Sequence, residues 1–366
     1  MYVISEKSCI IPVMISQKLI KEIIEEAVHA PSGDNSQPWR FEVRGNEIDI
    51  YNLVGRDATL FNFKNRGDFL AHGALIENIA IAAAHFGYKA EMVLFPEVGR
   101  NDHTATVRLE KAVEKKETGL FKAIRERATN RKIYQSYVLT EEEKEYIEGM
   151  KGEGGAEIRL VDNREDVNKL ATIVSLNERL LLENKHIHDF LFSIIRWTDE
   201  EEKGKPGMHV KTLELAPPQR FAFRRFKSWK FVECANRIGA SKFIAKENAK
   251  VYASSSAIGA IIMESDAPKD FMQAGRLLEH MWLTLTNRGL SLQPVTAVAY
   301  LAQRIKAGDV SELSAEHQEL IKRADKETRE ILGIGDKTIA MVFRIGKADK
   351  PSGRAFKLGP DIRWSV

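Results

Sequence analysis

Leu19, Ile20, Ile23, Ile24, Ala27 and Val28 form one apolar stripe at helical spacing, which predicts a helix over about Ser16–His29 with Ser16 as its N-cap. Pro31, Ser32 and Gly33 stop that helix and open a loop that runs to Trp39. Alternation resumes over Arg40–Val43 and Glu47–Tyr51, and the Gly45-Asn46 pair between them predicts a hairpin. A helix over about Gly73–Phe86, rich in Ala and Ile, is apolar nearly all round and therefore expected to be central. Strands follow near Glu91–Phe95 and Thr104–Leu109, and a charged helical segment over Val113–Glu126. Beyond about Gly119 the pattern predicts a strand at Glu157–Val161, a helix over about Glu165–Asn184 and a central strand at Ile258–Met263. A helix over about Ala274–Arg288 and a terminal strand at Thr338–Ile345 complete the reading.

Two of these helices match. Gly73-Ala-Leu-Ile-Glu-Asn in the first half corresponds to Gly275-Arg-Leu-Leu-Glu-His in the second, and each helix closes on a glycine at the same distance, Gly87 and Gly289. Amphipathic helices resemble one another, so periodicity alone leaves duplication and coincidence both open.

The 366 residues suit two domains of middling size. Hydrophobic residues make up 43% and charged residues 29%, the balance of a soluble globular chain, and the formal charge of +3 argues against a dedicated nucleic-acid binder. Cys9 and Cys234 are too few for a disulfide framework or a thiolate zinc site. The opening residues lack a basic region followed by a long apolar run, and no segment reaches the roughly 18 apolar residues of a membrane span. A cytoplasmic protein is expected, without nucleic-acid or membrane partners. Neither a dinucleotide fingerprint, a Walker loop nor a GxSxG elbow occurs. His186 and His188 point to different faces of a helix, so no metal site is expected. Between Arg220 and Phe231 five basic residues interleave with five aromatic ones. That pattern suits a stacking or membrane-facing surface, but an amphipathic cover with its rings on the core is the favoured expectation.

Two segments carry chemistry. The loop of residues 30–39, Ala-Pro-Ser-Gly-Asp-Asn-Ser-Gln-Pro-Trp, frees backbone N–H groups and adds short polar side chains. It can meet the edge of a flat heteroaromatic ring, or simply form a helix-ending turn whose Ser and Asn satisfy its own backbone. The second segment sets Arg127, Thr129 and Arg131 at alternate positions, which share one face when extended. Two guanidiniums and a hydroxyl on one face suit a phosphate monoester, and an exposed basic stretch at a helix end would look the same.

Together these segments resemble the FMN-dependent nitroreductase family, whose members carry an R-x-S/T-x-R segment and an APS-x-x-NSQPW loop. Here the order is reversed along the chain, as in the single-chain, two-copy members of that family. The resemblance implies an α+β nitroreductase-like fold in which two related copies form an intramolecular pseudo-dimer. Residues 1–118 would be the copy with the APS loop and 119–366 the copy with the arginine segment, with a lid or cover at about 196–232. Residues 1–30 contain no arginine and the second copy has no PSxxN loop, which implies one intact FMN site per chain.

By the same resemblance Arg127 and Thr129 bind the FMN phosphate, and Arg131 reaches the ribityl chain or the pyrimidine oxygens. Pro31, Ser32, Gly33 and Asn35 line the ring from the other copy. Pro294, Thr296 and Ala297 approach it through backbone groups. Arg354 closes on the phosphate, with Lys350 as the fallback. The implied activity is NAD(P)H-driven, ping-pong reduction of a small-molecule acceptor of nitroaromatic or quinone type, with no side-chain acid or base named. The alternative is a protein that stores or sequesters FMN with little turnover. A monomer is expected to suffice, because the site lies within one chain.

Overall fold

The computed structural model describes residues 14–112 and 119–365. The opening segment up to Val13, with Cys9, and the first part of the helix expected over Val113–Glu126 lie outside the described residues. The remainder of that helix is Phe121–Glu126.

The fold is α+β and holds two main sheets of mostly antiparallel strands, each beside a long helix, with a short parallel pair, Ile195–Arg196 and Met208–His209, apart from them. In the first half, helix Gln17–Ala27 starts where expected, with the Ser16 hydroxyl accepting from the Leu19 N–H at 3.3 Å. Its buried stripe, Ile20, Ile23, Ile24 and Ala27, packs against the central helix. Strands Trp39–Arg44 and Glu47–Asn52 form the hairpin, turning through Gly45 at φ +55°. Strands Tyr88–Leu94 and His103–Lys111 complete the sheet, the later strand lying inside and the earlier one at the edge.

The second half repeats that plan. Strands Glu157–Val161, Ala257–Met263, Ser291–Pro294 and Thr338–Gly346 again place the fourth strand of the set inside and the third at the edge, all antiparallel. In each half a long helix connects the second and third strands: Arg66–His85 in the first and Pro268–Asn287 in the second. The two helices cross at Gly73 and Gly275. A Cβ on Gly73 would lie 2.0 Å from the Met272 carbonyl oxygen, and one on Gly275 would lie 2.0 Å from that of Leu70. Each glycine thus meets the carbonyl three residues before the other, and one apolar core runs through both halves. Around the crossing Glu77 holds Arg276 and His280 at 3.1 Å each, while Glu279 faces Asn78.

Four elements depart clearly from the expected boundaries, one of them the second long helix, which begins at Pro268 rather than Ala274. The first long helix begins at Arg66 rather than Gly73, because its opening turns bury polar residues that hydrophobic periodicity does not count. Arg66 pairs with Asp266 and with Gln303, Asp68 accepts from Asn52, and His72 lies between Pro38 O and Thr104. The helix expected over Glu165–Asn184 is two helices, Arg164–Val174 and Leu176–Glu183, broken where the Ser175 hydroxyl donates back to Thr172 O. The strand expected to be terminal is followed by Ile362–Ser365, which pairs in parallel with Trp39–Arg44 on the outer edge of the first sheet. The chain therefore ends in the sheet of its own first half. Helices Ala297–Lys306 and Ala315–Leu332 were not foreseen from the pattern.

Candidate functional site

The APS loop holds a tight turn in which Asp34, Asn35 and Gln37 adopt φ of 48°, 58° and 51°. Such left-handed backbone is tolerated by Asn and Asp and has to be held by the surroundings. The Ser32 hydroxyl accepts from the Gln37 N–H, and the Asn35 side chain donates to Gly207 O at 3.0 Å and Phe356 O at 2.9 Å. A Cβ on Gly33 would sit 2.5 Å from a carboxylate oxygen of Asp57, so a larger residue there would require that side chain to shift.

The arginine segment is extended, as its spacing suggested. Thr129 bridges Leu292 in parallel, Asn130 N–H donates to Leu292 O, and the Asn130 side chain donates to Ser291 Oγ and Asp349 O. This lays residues 127–131 alongside the stretch that leads to Pro294. Helix Ala297–Lys306 starts at the same wall with no side chain capping its first turn, because the Thr296 hydroxyl is engaged with Val342 N–H and O.

All eleven residues expected at the site line one cavity of about 1690 Å³: Pro31, Ser32, Gly33, Asn35, Arg127, Thr129, Arg131, Pro294, Thr296, Ala297 and Arg354. A single small-ligand pocket is about 300–1,000 Å³, so there is room for a second molecule beside the first. Lys350 is not part of the wall; Lys357 is.

One end of the cavity is basic. Arg127 is buried, donates to His29 O at 2.5 Å, and lies 4.6 Å from the Trp282 ring. Its Nε is turned to Glu279, 3.3 Å from Oε1, as a buried ion pair whose geometry falls short of a hydrogen bond. Lys357 donates to Ala30 O at 2.7 Å and Asn35 Oδ1 at 3.0 Å. Desolvation, then repulsion from Arg127, lowers its ammonium to about 7 against the pull of Glu279. Desolvation also pushes Arg127 down, with Arg354 adding to it, and holds His29 down to about 4 with help from Arg125 and Lys357. Arg354 donates to the carbonyls of Arg125 and Glu126 at the end of the helix that precedes Arg127. Positive groups are thus crowded together, opposed by Glu279 beside Arg127 and by Glu26 beside His29 and Arg125, and burial raises the Glu279 carboxyl. An anion is the counter-charge this cluster lacks.

Further along, Arg131 donates to Thr212 O at 3.1 Å and touches Met208 Sδ at 3.5 Å. Asp34 faces it, with its carboxyl raised to about 7 by burial and by Asp57 while Arg131 opposes the shift. Beyond Arg131 the cavity opens into an apolar lobe walled by Leu181, Phe190, Phe223, Phe226 and Phe243, with Tyr252 donating to Glu178 at 2.6 Å. Burial raises the Glu178 carboxyl to about 7.

The basic-aromatic stretch forms part of this lobe, and the expectation that its rings face inward holds for some of them. Phe223 packs on Phe192 and Trp197, and Phe226 lines the cavity. Phe221 and Phe231 instead stand outside. Lys357, Trp282, Asp34, Glu178 and Tyr252 are wall residues that no motif marked. Glu279, buried beside Arg127 rather than in the wall, had a signal as the counterpart of Glu77 in the repeated helix.

No family model matches the chain. An uncharacterized protein of Mycobacterium tuberculosis is 21% identical over 331 residues, covering 90% of this chain and 46% of that protein, so the chain spans about half of that relative. A second protein of Mycobacterium tuberculosis, bearing the name "putative NAD(P)H nitroreductase", is 21% identical over 288 residues and 78% of each chain. By sequence, then, the chain is similar to proteins of nitroreductase type. Among solved structures, an FMN-dependent nitroreductase from Mycobacterium smegmatis in complex with NADPH aligns over 63% of this chain and 88% of its own at 11% identity, with a TM-score of 0.34. A nitroreductase-like family protein from Bacillus cereus aligns over 67% and 94% at 12% identity, with a TM-score of 0.32.

Proposed function

We propose that the chain is an FMN-dependent oxidoreductase of nitroreductase type, made of two related copies that share one FMN site at their junction. The observation that carries this reading is the convergence of four distant stretches, 31–35, 127–131, 294–297 and 354–357, on one cavity whose basic end is short of negative charge. The residues fit the group. The buried Arg127 guanidinium at the cavity wall and the depressed Lys357 ammonium both answer to a phosphate. Arg127, Thr129, Arg354 and Lys357 would hold it, and Arg131 would meet the ribityl chain or the pyrimidine oxygens. Pro31, Ser32, Gly33, Asn35, Pro294, Thr296 and Ala297 would enclose the ring. Bound FMN would supply the redox chemistry, taking two electrons from NADH or NADPH and passing them to a nitroaromatic or quinone-type acceptor. Arg131 brings a fixed positive charge to the site, oriented by Thr212 O, and the apolar lobe beyond it excludes water from a planar acceptor. The shared strand order and the reciprocal Gly73–Gly275 crossing support the two-copy arrangement.

A second reading, FMN storage with little turnover, is favoured by the way the cover is fastened. Asn35 donates to Gly207 O and Arg131 to Thr212 O, so the groups proposed to face the flavin also tie down the segment above it. One set of measurements separates the readings. Heat release should give one FMN per chain, and NADH or NADPH should bleach the bound flavin, with colour restored by a quinone. Bound FMN that neither nucleotide bleaches supports storage. Absence of FMN, FAD in its place, or two FMN per chain overturns the shared-site proposal.

A further inference from the structure

The cover over the cavity carries a surface that the redox reading does not use. Residues 217–253 hold nine Lys and Arg against two Glu, while the whole chain nets +3, so the rest of the molecule is acidic. Helix Pro217–Arg225 turns Gln219, Ala222 and Phe223 to the cavity, with Phe226 just beyond its end. Phe221 therefore points the other way, 68% exposed, among the exposed Arg224 and Arg225. Phe231 and Phe243, in helices Trp229–Asn236 and Ala240–Ala253, are 43% and 64% exposed, and Ile238 in the turn between them is 89% exposed. The patch is joined to the cavity mouth: Phe231 touches Phe226, and Phe226 and Phe243 both belong to the wall. Exposed large apolar groups gathered in one strongly basic segment, among Lys and Arg side chains, mark an interaction site rather than isolated surface residues.

We propose that this face docks on an anionic lipid bilayer, with Phe221, Phe231, Ile238 and Phe243 entering the interface and the surrounding Lys and Arg meeting the head groups. Charge complementarity selects the occupant. A second copy of this chain presenting the same face would be repelled by it. Single-stranded nucleic acid would need free ring faces for stacking. The Arg225 guanidinium lies 5.7 Å over the Phe221 ring, and Ile238, the most exposed of the four, has no π face. An aliphatic side chain and basic groups on one face gain from a lipid interface on both counts, by leaving water and by meeting anionic charge.

The test uses the full-length chain, sedimented with vesicles of equal parts phosphatidylglycerol and phosphatidylcholine, and with phosphatidylcholine alone. The expected result is binding to the anionic vesicles only, weakened by added salt. Arg225→Gln with Lys230→Gln should lower the affinity by roughly fivefold per residue. Phe221→Ser with Ile238→Ser should lower it further at unchanged net charge, and neither residue lines the cavity, so circular dichroism should match the parent chain. No binding to anionic vesicles, equal binding to both compositions, or binding that ignores the Phe221 and Ile238 substitutions overturns the proposal. Binding to a single-stranded RNA with none to vesicles also overturns it and assigns the face to nucleic acid.

Discussion

Arg125 and Arg127 are two residues apart and have different tasks. The Arg125 guanidinium is held by both carboxylate oxygens of Glu26, at 2.7 and 2.8 Å, on the exposed side of the first helix. Arg127 turns inward, over Trp282. Arg127→Ala should therefore weaken FMN binding by about 1.5–3 kcal/mol, roughly 10- to 150-fold, whereas Arg125→Ala should leave it nearly unchanged. Equal losses in a fluorescence titration would put the phosphate elsewhere. Lys357 adds a pH dependence whose sign is fixed by its depressed value. Without ligand it loses its proton near 7, and a bound phosphate raises it again, so binding above pH 7 takes up a proton. FMN affinity should fall as pH rises above about 7, at most tenfold per unit, and Lys357→Met should flatten that slope. A profile that is flat from about pH 7 to 8.5 in the parent chain would remove Lys357 from the phosphate site. Arg127 was legible in the sequence because alternate spacing marks it. Lys357 was not, because it sits in a stretch without period that is brought to the cavity by long-range partners: Asn35 donates to Phe356 O, Gln37 accepts from Leu358 N–H, and Ile362–Ser365 pairs with the first sheet.

The two long helices touch through glycine, and the contact is the same seen from either side. A methyl group on either residue would press into the backbone of the other helix at 2.0 Å, a contact that requires the helices to separate. Alanine gains about 0.5–1 kcal/mol over glycine in helix propensity, and overpacking costs typically 1–3 kcal/mol, more where the obstacle is backbone. Gly73→Ala and Gly275→Ala should each be destabilising, by similar amounts. The double substitution should cost less than the two together, because one separation relieves both clashes. Midpoints of urea unfolding would show this; a neutral Gly275→Ala beside a costly Gly73→Ala would break the reciprocity. The glycine match was visible in the sequence, but its meaning was not, since periodicity shows which face is buried and not what it is buried against. The same limit explains the missed first turns at Arg66–His72. Buried polar side chains with partners as distant as Gln303 and Asp266 look like surface until the partners are known. The strands at Glu47–Asn52 and Glu157–Val161 were legible because each lies beside a turn signal that local chemistry sets.

At the scale of the whole molecule, the cavity draws on both halves of one chain. The APS loop comes from the first half, and the arginine segment, the Pro294 stretch and the Arg354–Lys357 stretch from the second. The halves are tied by the helix crossing, by a continuous core and by a final strand that returns to the first sheet. Among the described residues one chain supplies the whole proposed wall, so the site is expected to be complete without a second polypeptide. A site shared between two chains would lose ligand on dilution by mass action, as its dimer dissociates. Here FMN should stay bound to a monomer, and any self-association through another face should be independent of flavin content. Light scattering across a dilution series, with flavin fluorescence followed in the same samples, measures both quantities. Retention of one FMN per chain at a monomer's mass of about 41.4 kDa is the expected result. If flavin leaves in step with the dissociation of a dimer, the site lies between chains and the two-copy reading fails, even where the flavin chemistry itself survives.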